Sequence, residues 1–149
     1  MKTQYDIRKI SAEKTHAIRH PMLRKGRPLK DCVFEGDNDP ETIHLGAYIE
    51  NKLIGVLSAY RKSASAFDAK ESYQVRGVAV LTSAQRKGIG RALMVHIEQL
   101  LQHRKIDLIW LNARIKAVDF YTALAYRQKG SAFEIEGIGT HYCFYKSLE

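Results

Sequence analysis

Val78-Ala79-Val80-Leu81-Thr82-Ser83-Ala84-Gln85-Arg86-Lys87-Gly88-Ile89-Gly90-Arg91-Ala92-Leu93 is the stretch whose reading decides the fold of this chain. It opens on small and β-branched apolar residues and passes through a polar segment with two glycines. It then enters a run in which Ile89, Leu93, Ile97, Leu100 and Leu101 recur at helical spacing, with Arg91, Glu98, Gln99 and Gln102 outside the stripe. A strand therefore runs into a glycine-bearing turn that opens an amphipathic helix. The first amides of a helix have no internal partners, and the helix dipole favours negative charge there. Glycine lets the backbone approach a phosphate closely, and Arg86, Lys87 and Arg91 add positive charge at the same place. A helix that merely begins with glycine and basic residues is the plainer alternative, but strand, Gln-x-x-Gly-x-Gly and amphipathic helix together outweigh it. Two common nucleotide motifs fail on their residues. A Walker A loop needs Lys then Ser or Thr where this chain has Arg91-Ala92, and a dinucleotide fingerprint needs Gly or Ala at the position of Leu93.

Upstream of the turn, residues 72–80 form a strand with Tyr73, Val75, Gly77 and Ala79 on one face and Gln74, Arg76, Val78 and Val80 on the other. Residues 43–50 and 53–60 flank Asn51-Lys52 as a hairpin of two long strands, and 62–71 is an exposed connection. Residues 4–10 are a first strand. Ser11 caps a following helix with Glu13 in its first turn, and Pro21 interrupts that helix or forces a new one. Residues 24–40 carry Gly26, Pro28, Gly36, Asp37, Asn38, Asp39 and Pro40, the composition of a functional or mobile loop. Downstream come a strand at 108–113, a short helix at 118–124 with Phe120 and Tyr121, and strands at 127–133 and 140–146 around Gly137 and Gly139. The order is strand, helix, three strands, helix, strand, helix, two strands. It predicts an α/β (α+β) fold, one mixed sheet with helices packed on it, with no internal repeat.

A chain of 149 residues fits a single domain over 1–149, and its 45% hydrophobic and 27% charged composition is that of a soluble globular protein. The formal charge of +8 is spread along the chain with no basic tail, which favours one anion site over a nucleic-acid surface. No basic–aromatic alternation of the RNA-binding kind is present. Cys32 and Cys143 form no CxxC pair and no metal-ligand cluster accompanies them, so no metal is expected and a reduced, cytoplasmic compartment is. The opening residues lack the apolar run of a signal peptide, and no segment reaches the length of a membrane span, so no membrane partner is expected.

With these residues in view, Gln85-Arg-Lys-Gly-Ile-Gly90 resembles the acetyl-CoA motif (Q/R-x-x-G-x-G/A) of the GCN5-related N-acetyltransferase (GNAT) superfamily. Val78-Ala-Val80 upstream and Asn112-Ala-Arg114 with Ala117-Val-Asp-Phe-Tyr121 downstream support the match, which covers the C-terminal half of the chain. The resemblance implies a central, mostly antiparallel mixed sheet of about seven strands flanked by helices. It implies a cleft where the 75–80 and 108–113 strands splay apart, and a single N-acetyltransferase domain using acetyl-CoA as cosubstrate. By the same resemblance Val78, Ala79 and Val80 bind the pantetheine arm through their backbone. Arg86, Lys87, Gly88, Ile89, Gly90 and Arg91 hold the pyrophosphate, and Asn112 and Arg114 contact the cofactor near its thiol. Tyr121 matches the general acid that protonates the departing thiolate after direct attack of an amine in a ternary complex. A homodimer is also implied by resemblance alone.

Two positions depart from the family pattern. The glycine that often follows this tyrosine before an aromatic is Ala125 here, which costs about 1 kcal/mol if the position has positive φ. Where some members carry a catalytic glutamate on the fourth strand this chain has Gln74, which cannot accept a proton. Candidate bases are then Glu35, Asp37, His44, Glu136 and His141, and candidate acceptor contacts are Arg76, Glu136 and His141. The acceptor is an amine on a small molecule or a protein. A module that binds acyl-CoA without turning it over is the alternative from another class.

Overall fold

The computed structural model describes residues 4–64, 66–69 and 71–149. Among the described residues, seven strands and three α-helices follow the predicted order: β1 (Asp6–Lys9), α1 (His16–Leu23), β2 (Ile43–Ile49), β3 (Lys52–Arg61), β4 (Ser72–Val80), α2 (Ile89–His103), β5 (Leu108–Arg114), α3 (Val118–Ala123), β6 (Arg127–Ile135) and β7 (Gly139–Ser147). The expected seven-stranded sheet flanked by helices is present. The expected connection at 62–71 includes Ser65 and Lys70, which lie outside the described residues, as do residues 1–3.

The chain divides into two compact units, Met1–Tyr60 with Val75–Leu100, and Arg61–Gln74 with Leu101–Glu149. The first unit carries β1, β2, β3 and the larger part of β4, in that order across the sheet. β2 runs antiparallel to β1, with Ile7 opposite Ala47, and antiparallel to β3, with Leu45 opposite Leu57. The hairpin turns at Glu50 and Asn51, both at positive φ (51° and 64°), one residue earlier than the expected Asn51-Lys52. Two successive left-handed residues suit the twist of a two-residue hairpin, and Asn tolerates that conformation well. The apolar stripe of α2, with Ile89, Leu93, Met94 and Ile97, is fully buried, as are Leu45, Val56 and Leu57 on the strands.

Pro21 lies inside α1 rather than breaking it, which corrects the expectation from sequence. Proline removes one intrahelical donor. The helix ends two residues later, where the Arg24 amide is shared between Arg19 O and His20 O, so the loss falls on the last turn. Residues 24–40 also differ from an open loop. Leu29–Cys32 forms a short 3-10 turn, and Cys32, Phe34 and Asp37 are buried.

The second unit carries the start of β4, then β5, β7 and β6. β7 pairs antiparallel with β5 (Leu111 opposite Phe144) and with β6 (Lys129 opposite Cys143), with an irregularity between Lys129 and Phe133. Its core is built from Tyr73, Ile109, Leu111, Tyr121, Tyr126 and Phe144. The Trp110 indole N–H donates to Lys62 O at 2.8 Å, and the Asp107 amide donates to Glu71 O at 3.0 Å.

Candidate functional site

The turn between β4 and α2 has the geometry its sequence calls for. Thr82–Ala84 forms a single 3-10 turn after Leu81, and the Gln85 side-chain amide then donates to Val80 O at 3.0 Å. This bond ties the turn back to the end of β4 and gives the glutamine of the motif a structural reason. Arg86 (φ 64°) and Gly88 (φ 78°) are left-handed. The Ala92 amide closes the first helical bond on Gly88 O at 3.0 Å, so Gly88 caps α2 and the amides of Ile89, Gly90 and Arg91 are its first, unclosed ones. Among the described residues, no atom beyond Gly88 and its two chain neighbours lies within 4 Å of where a Cβ at Gly88 would sit, which leaves room for a ligand atom against the backbone. Gln85, Arg86, Lys87, Gly88 and Arg91 are exposed, whereas Ile89 is buried and serves the core. α2 has no acidic residue in its first turn. A cavity of about 380 Å³ with Gly88 and Arg91 in its lining opens beside the helix start, in company with Tyr5, Ile7, Val95 and His96. Upstream, Val78 and Val80 are half-buried and Ala79 is buried.

The second unit holds the remaining cofactor and acid candidates. Asn112 and Arg114 alternate with buried Leu111 and Ala113, so both occupy the exposed face of β5, opposite Cys143 and His141 of β7. Tyr121 is the fourth residue of α3. Its ring is buried edge-on against Phe120 (4.9 Å between centroids) and Tyr126 (5.8 Å). Burial pushes its phenol pKa well above the ordinary value, so the group stays protonated at neutral pH. Helix α3 ends with the Tyr126 amide donating to Tyr121 O and the Ala125 amide to Thr122 O, both at 3.0 Å. Ala125 has φ 71°, the left-handed conformation that the missing glycine would have supplied. The buried His141 has its Nδ1 2.9 Å from Gly139 O, so that nitrogen carries the proton, and Glu136 is exposed in the β6–β7 turn.

Two candidate bases belong to a buried network in the first unit. Arg19, Asp37, His44, Ser58 and Tyr60 are all buried. Arg19 donates through Nη1 to Asp37 Oδ2 (2.6 Å) and Cys32 O (2.8 Å), and through Nη2 to Asp37 Oδ1 (3.1 Å), Ser58 Oγ (2.9 Å) and Tyr60 Oη (3.1 Å). Asp37 also accepts from Tyr60 O–H (2.5 Å) and the Phe34 amide (2.9 Å). Burial alone would raise the Asp37 pKa, but the hydrogen bonds from Arg19, Tyr60 and Phe34 outweigh it and hold the carboxyl below its usual range. The phenol of Tyr60, buried and bonded to that carboxylate, is pushed up to about 12. His44 Nε2 lies 2.9 Å from Asp37 O, so it carries the proton, and Nδ1 accepts from Ser58 O–H at 2.6 Å. Burial lowers the His44 pKa and keeps the ring neutral, as that bonding requires. Asp37 and His44 thus fasten the 24–40 segment to β2 and β3. Of the other proposed bases, Glu35 is exposed. Sequence reading missed Arg19, Ser58 and Tyr60. The available signal was an arginine directly following Ile18 on a helix, and a serine and a tyrosine inside the long apolar run of β3, which is buried on both faces.

Residues 6–126 match the family model described as the acetyltransferase (GNAT) family. The chain belongs to the GNAT family. Among curated proteins it is similar to the uncharacterized N-acetyltransferase YitI of Bacillus subtilis (strain 168), 31% identical over 143 residues and covering 96% of both chains. Among solved structures it is similar to an aminoglycoside 6'-N-acetyltransferase complexed with coenzyme A (TM-score 0.76, 14% identity, 97% of each chain). It is likewise similar to the ribosomal-protein-S18-alanine N-acetyltransferase from Escherichia coli (TM-score 0.75, 16% identity, 98% of this chain and 95% of that one). The GNAT fold and an acetyltransferase activity follow for this chain. Among the described residues no cluster of side chains has the make-up of a metal site, and no helix is long and apolar enough to cross a membrane.

Proposed function

We propose that this GNAT domain, spanning residues 1–149, transfers the acetyl group of acetyl-CoA to a primary amine of a small molecule or protein, by direct attack in a ternary complex. The observation that carries the reading is the β4–α2 turn: Gly88 caps α2 in the left-handed conformation with open space at its Cα, and Arg86, Lys87 and Arg91 stand exposed around the first helical amides. That combination suits a pyrophosphate. The solved neighbour in complex with coenzyme A supports the same cosubstrate.

Arg86 through Arg91 then hold the pyrophosphate by backbone amides and guanidinium or ammonium groups. Val78, Ala79 and Val80 bind the pantetheine arm through their main chain, and an amide near Val80 polarises the thioester carbonyl. Asn112 and Arg114 contribute polar contacts near the thiol end. Bound acetyl-CoA supplies an acyl carbon activated by its thioester. The amine nitrogen bonds to that carbon, the carbon–sulfur bond breaks, and Tyr121 gives its phenolic proton to the departing sulfur. The amine's surplus proton leaves to water or to an acceptor-side base such as Glu136 or His141, since Gln74 is no base and Asp37 and His44 are engaged in the buried network, and a proton from solvent then restores the Tyr121 phenol. Glu136 and His141 remain acceptor-side candidates. Both cysteines are free, which fits a cytoplasmic protein, and a homodimer is compatible with this reading.

Calorimetric titration with acetyl-CoA, followed by an assay of CoA release across a panel of amines, tests the proposal. Saturable binding with amine-dependent release supports it. Saturable binding with no release from any amine supports the acyl-CoA-binding module instead, and no binding by folded protein removes both.

A further inference from the structure

The cavity beside the start of α2 is lined by two elements of the first unit, the flank of α2 and the chain at the β1 edge of the sheet. Tyr5 and Ile7, two positions apart, point to one face of the extended chain. From the helix and its cap come Gly88, Ala92, Val95 and Gln99, which recur every three or four residues and so share one flank. That flank stands beside the buried stripe of Leu93 and Ile97 and outside the core, for Val95 is 39% exposed and Tyr5 43%. A flank that faced only water would carry polar side chains throughout. This one sets Ala92 and Val95 across from Tyr5 and Ile7, which leaves apolar surface that the fold does not cover. The volume of about 380 Å³ falls within the roughly 300–1,000 Å³ of small-molecule sites, which also combine apolar walls with a few polar groups.

The occupant follows from where the cavity begins. Gly88 and Arg91 line it, and both belong to the turn proposed to hold the pyrophosphate. A bound CoA leaves its pyrophosphate in two directions, along the pantetheine arm and along the adenosine. The arm is assigned to β4, so the adenosine is the part still to be placed. Charge is compatible with it. Asp6, the carboxylate in the lining, is paired with Arg8. Elsewhere in this unit Arg19 is paired with Asp37, and Arg76 lies over the rings of Phe34 and Tyr60 (4.9 and 5.9 Å). Arg91, by contrast, is exposed and has no carboxylate partner among the described residues. A purine has a flat face on which an aromatic side chain stacks, and a polar edge that an amide such as Gln99 can bond.

We infer that the groove between β1 and α2 binds the adenosine end of the cofactor. Tyr5 stacks on the base, Ile7 and Val95 enclose it, and Arg91 stands at the mouth against the phosphate nearest the ribose. This rests on the acetyl-CoA reading. Calorimetry with two ligands tests it: acetyl-CoA, and S-acetyl-4'-phosphopantetheine, which keeps the thioester arm and lacks the adenylate. Val95→Trp fills the groove and Tyr5→Ala removes the stacking face. Both positions are exposed, and circular dichroism with a urea midpoint checks that the variants fold. Each variant is expected to raise the acetyl-CoA Kd about tenfold and to leave that of the shorter ligand unchanged, while Tyr5→Phe keeps the wild-type value. An acetyl-CoA Kd unmoved in either variant, or equal losses for both ligands, overturns the proposal. Adenosine 3',5'-bisphosphate should also shift the ring signals of His96, another lining residue, in wild-type protein and not in Val95→Trp; no shift in the wild type overturns it too. A wild-type dimer that Val95→Trp dissociates in sedimentation would give the groove to a second copy and count against the adenosine. Absent acetyl-CoA binding by folded wild-type protein would sink the acetyl-CoA reading itself.

Discussion

Tyr121 and Ala125, four residues apart, pose two different questions at the scale of single side chains. The Tyr121 ring is held by Phe120 and Tyr126, so losing only its hydroxyl should leave the helix intact. Tyr121→Phe is expected to lower kcat by roughly 10²-fold, the ordinary contribution of a positioned acid, with acetyl-CoA affinity unchanged by calorimetry. A variant with full turnover when chemistry limits the rate would take the role from Tyr121. Ala125 sits at φ 71°, where its Cβ is strained. Ala125→Gly should therefore stabilise the protein by about 0.5–1 kcal/mol in urea unfolding. That position was legible in advance, because the family pattern placed a glycine there and physics said why. His44 gives a pH test. Its folded pKa is lowered by burial, so below the unfolded value of about 6.5 the unfolded chain binds a proton that the native state refuses. Stability should fall as pH drops from 7 toward the folded pKa. Asp37, also lowered, adds its loss only in the acid range, below the usual carboxylate pKa of about 3.9. His44→Gln should flatten the fall in stability that begins just below pH 7, and an unchanged slope would place the titrating group elsewhere.

Among the elements, α2 and its leading turn were the most legible. A fifteen-residue helix with one apolar stripe leaves little choice of face, and the glycines mark its start. The turn invites a direct substitution. Gly90→Glu would place a carboxylate among the first amides of the helix, where the proposed pyrophosphate lies, and should abolish acetyl-CoA binding while the protein stays folded by circular dichroism. Unchanged affinity would remove the turn from the cofactor site. Strands β2 to β4 were legible for a similar reason: long β-rich runs bounded by polar turns fix their own limits to within a residue or two. The 24–40 segment was not. Its glycines, prolines and acidic residues describe a loop locally, and the order comes from Arg19 and Tyr60, which lie in other elements. Pro21 misled for the opposite reason, since a rule about helix interiors was applied to a helix that ends two residues later.

For the whole molecule, the order of strands in chain sequence and the β2–β3 hairpin were readable from the pattern of residues, but the single mostly antiparallel sheet of about seven strands was expected from the family resemblance. The site divides the same way. Contiguous motifs survive reading in one dimension. A cluster such as Arg19, Arg24, Phe34 and Arg76 is assembled from three segments and leaves no one-dimensional trace. The buried ion pair is the feature on which stability should depend most. Removing one partner of such a pair leaves an uncompensated charge, so Asp37→Asn is expected to cost about 3–5 kcal/mol, read by denaturant titration. The pair also spans time as well as space. Arg19 and Asp37 are 18 positions apart, but the bonds from Arg19 to Ser58 and Tyr60 link residues 39 and 41 apart, so the complete network needs β3 beside the helix. A network with bonds of such long range is expected to form after the folding barrier. In stopped-flow kinetics the damage of Asp37→Asn should therefore fall almost wholly on the unfolding limb of the chevron, which makes this pair a lock on the protein's lifetime and not a guide to its birth.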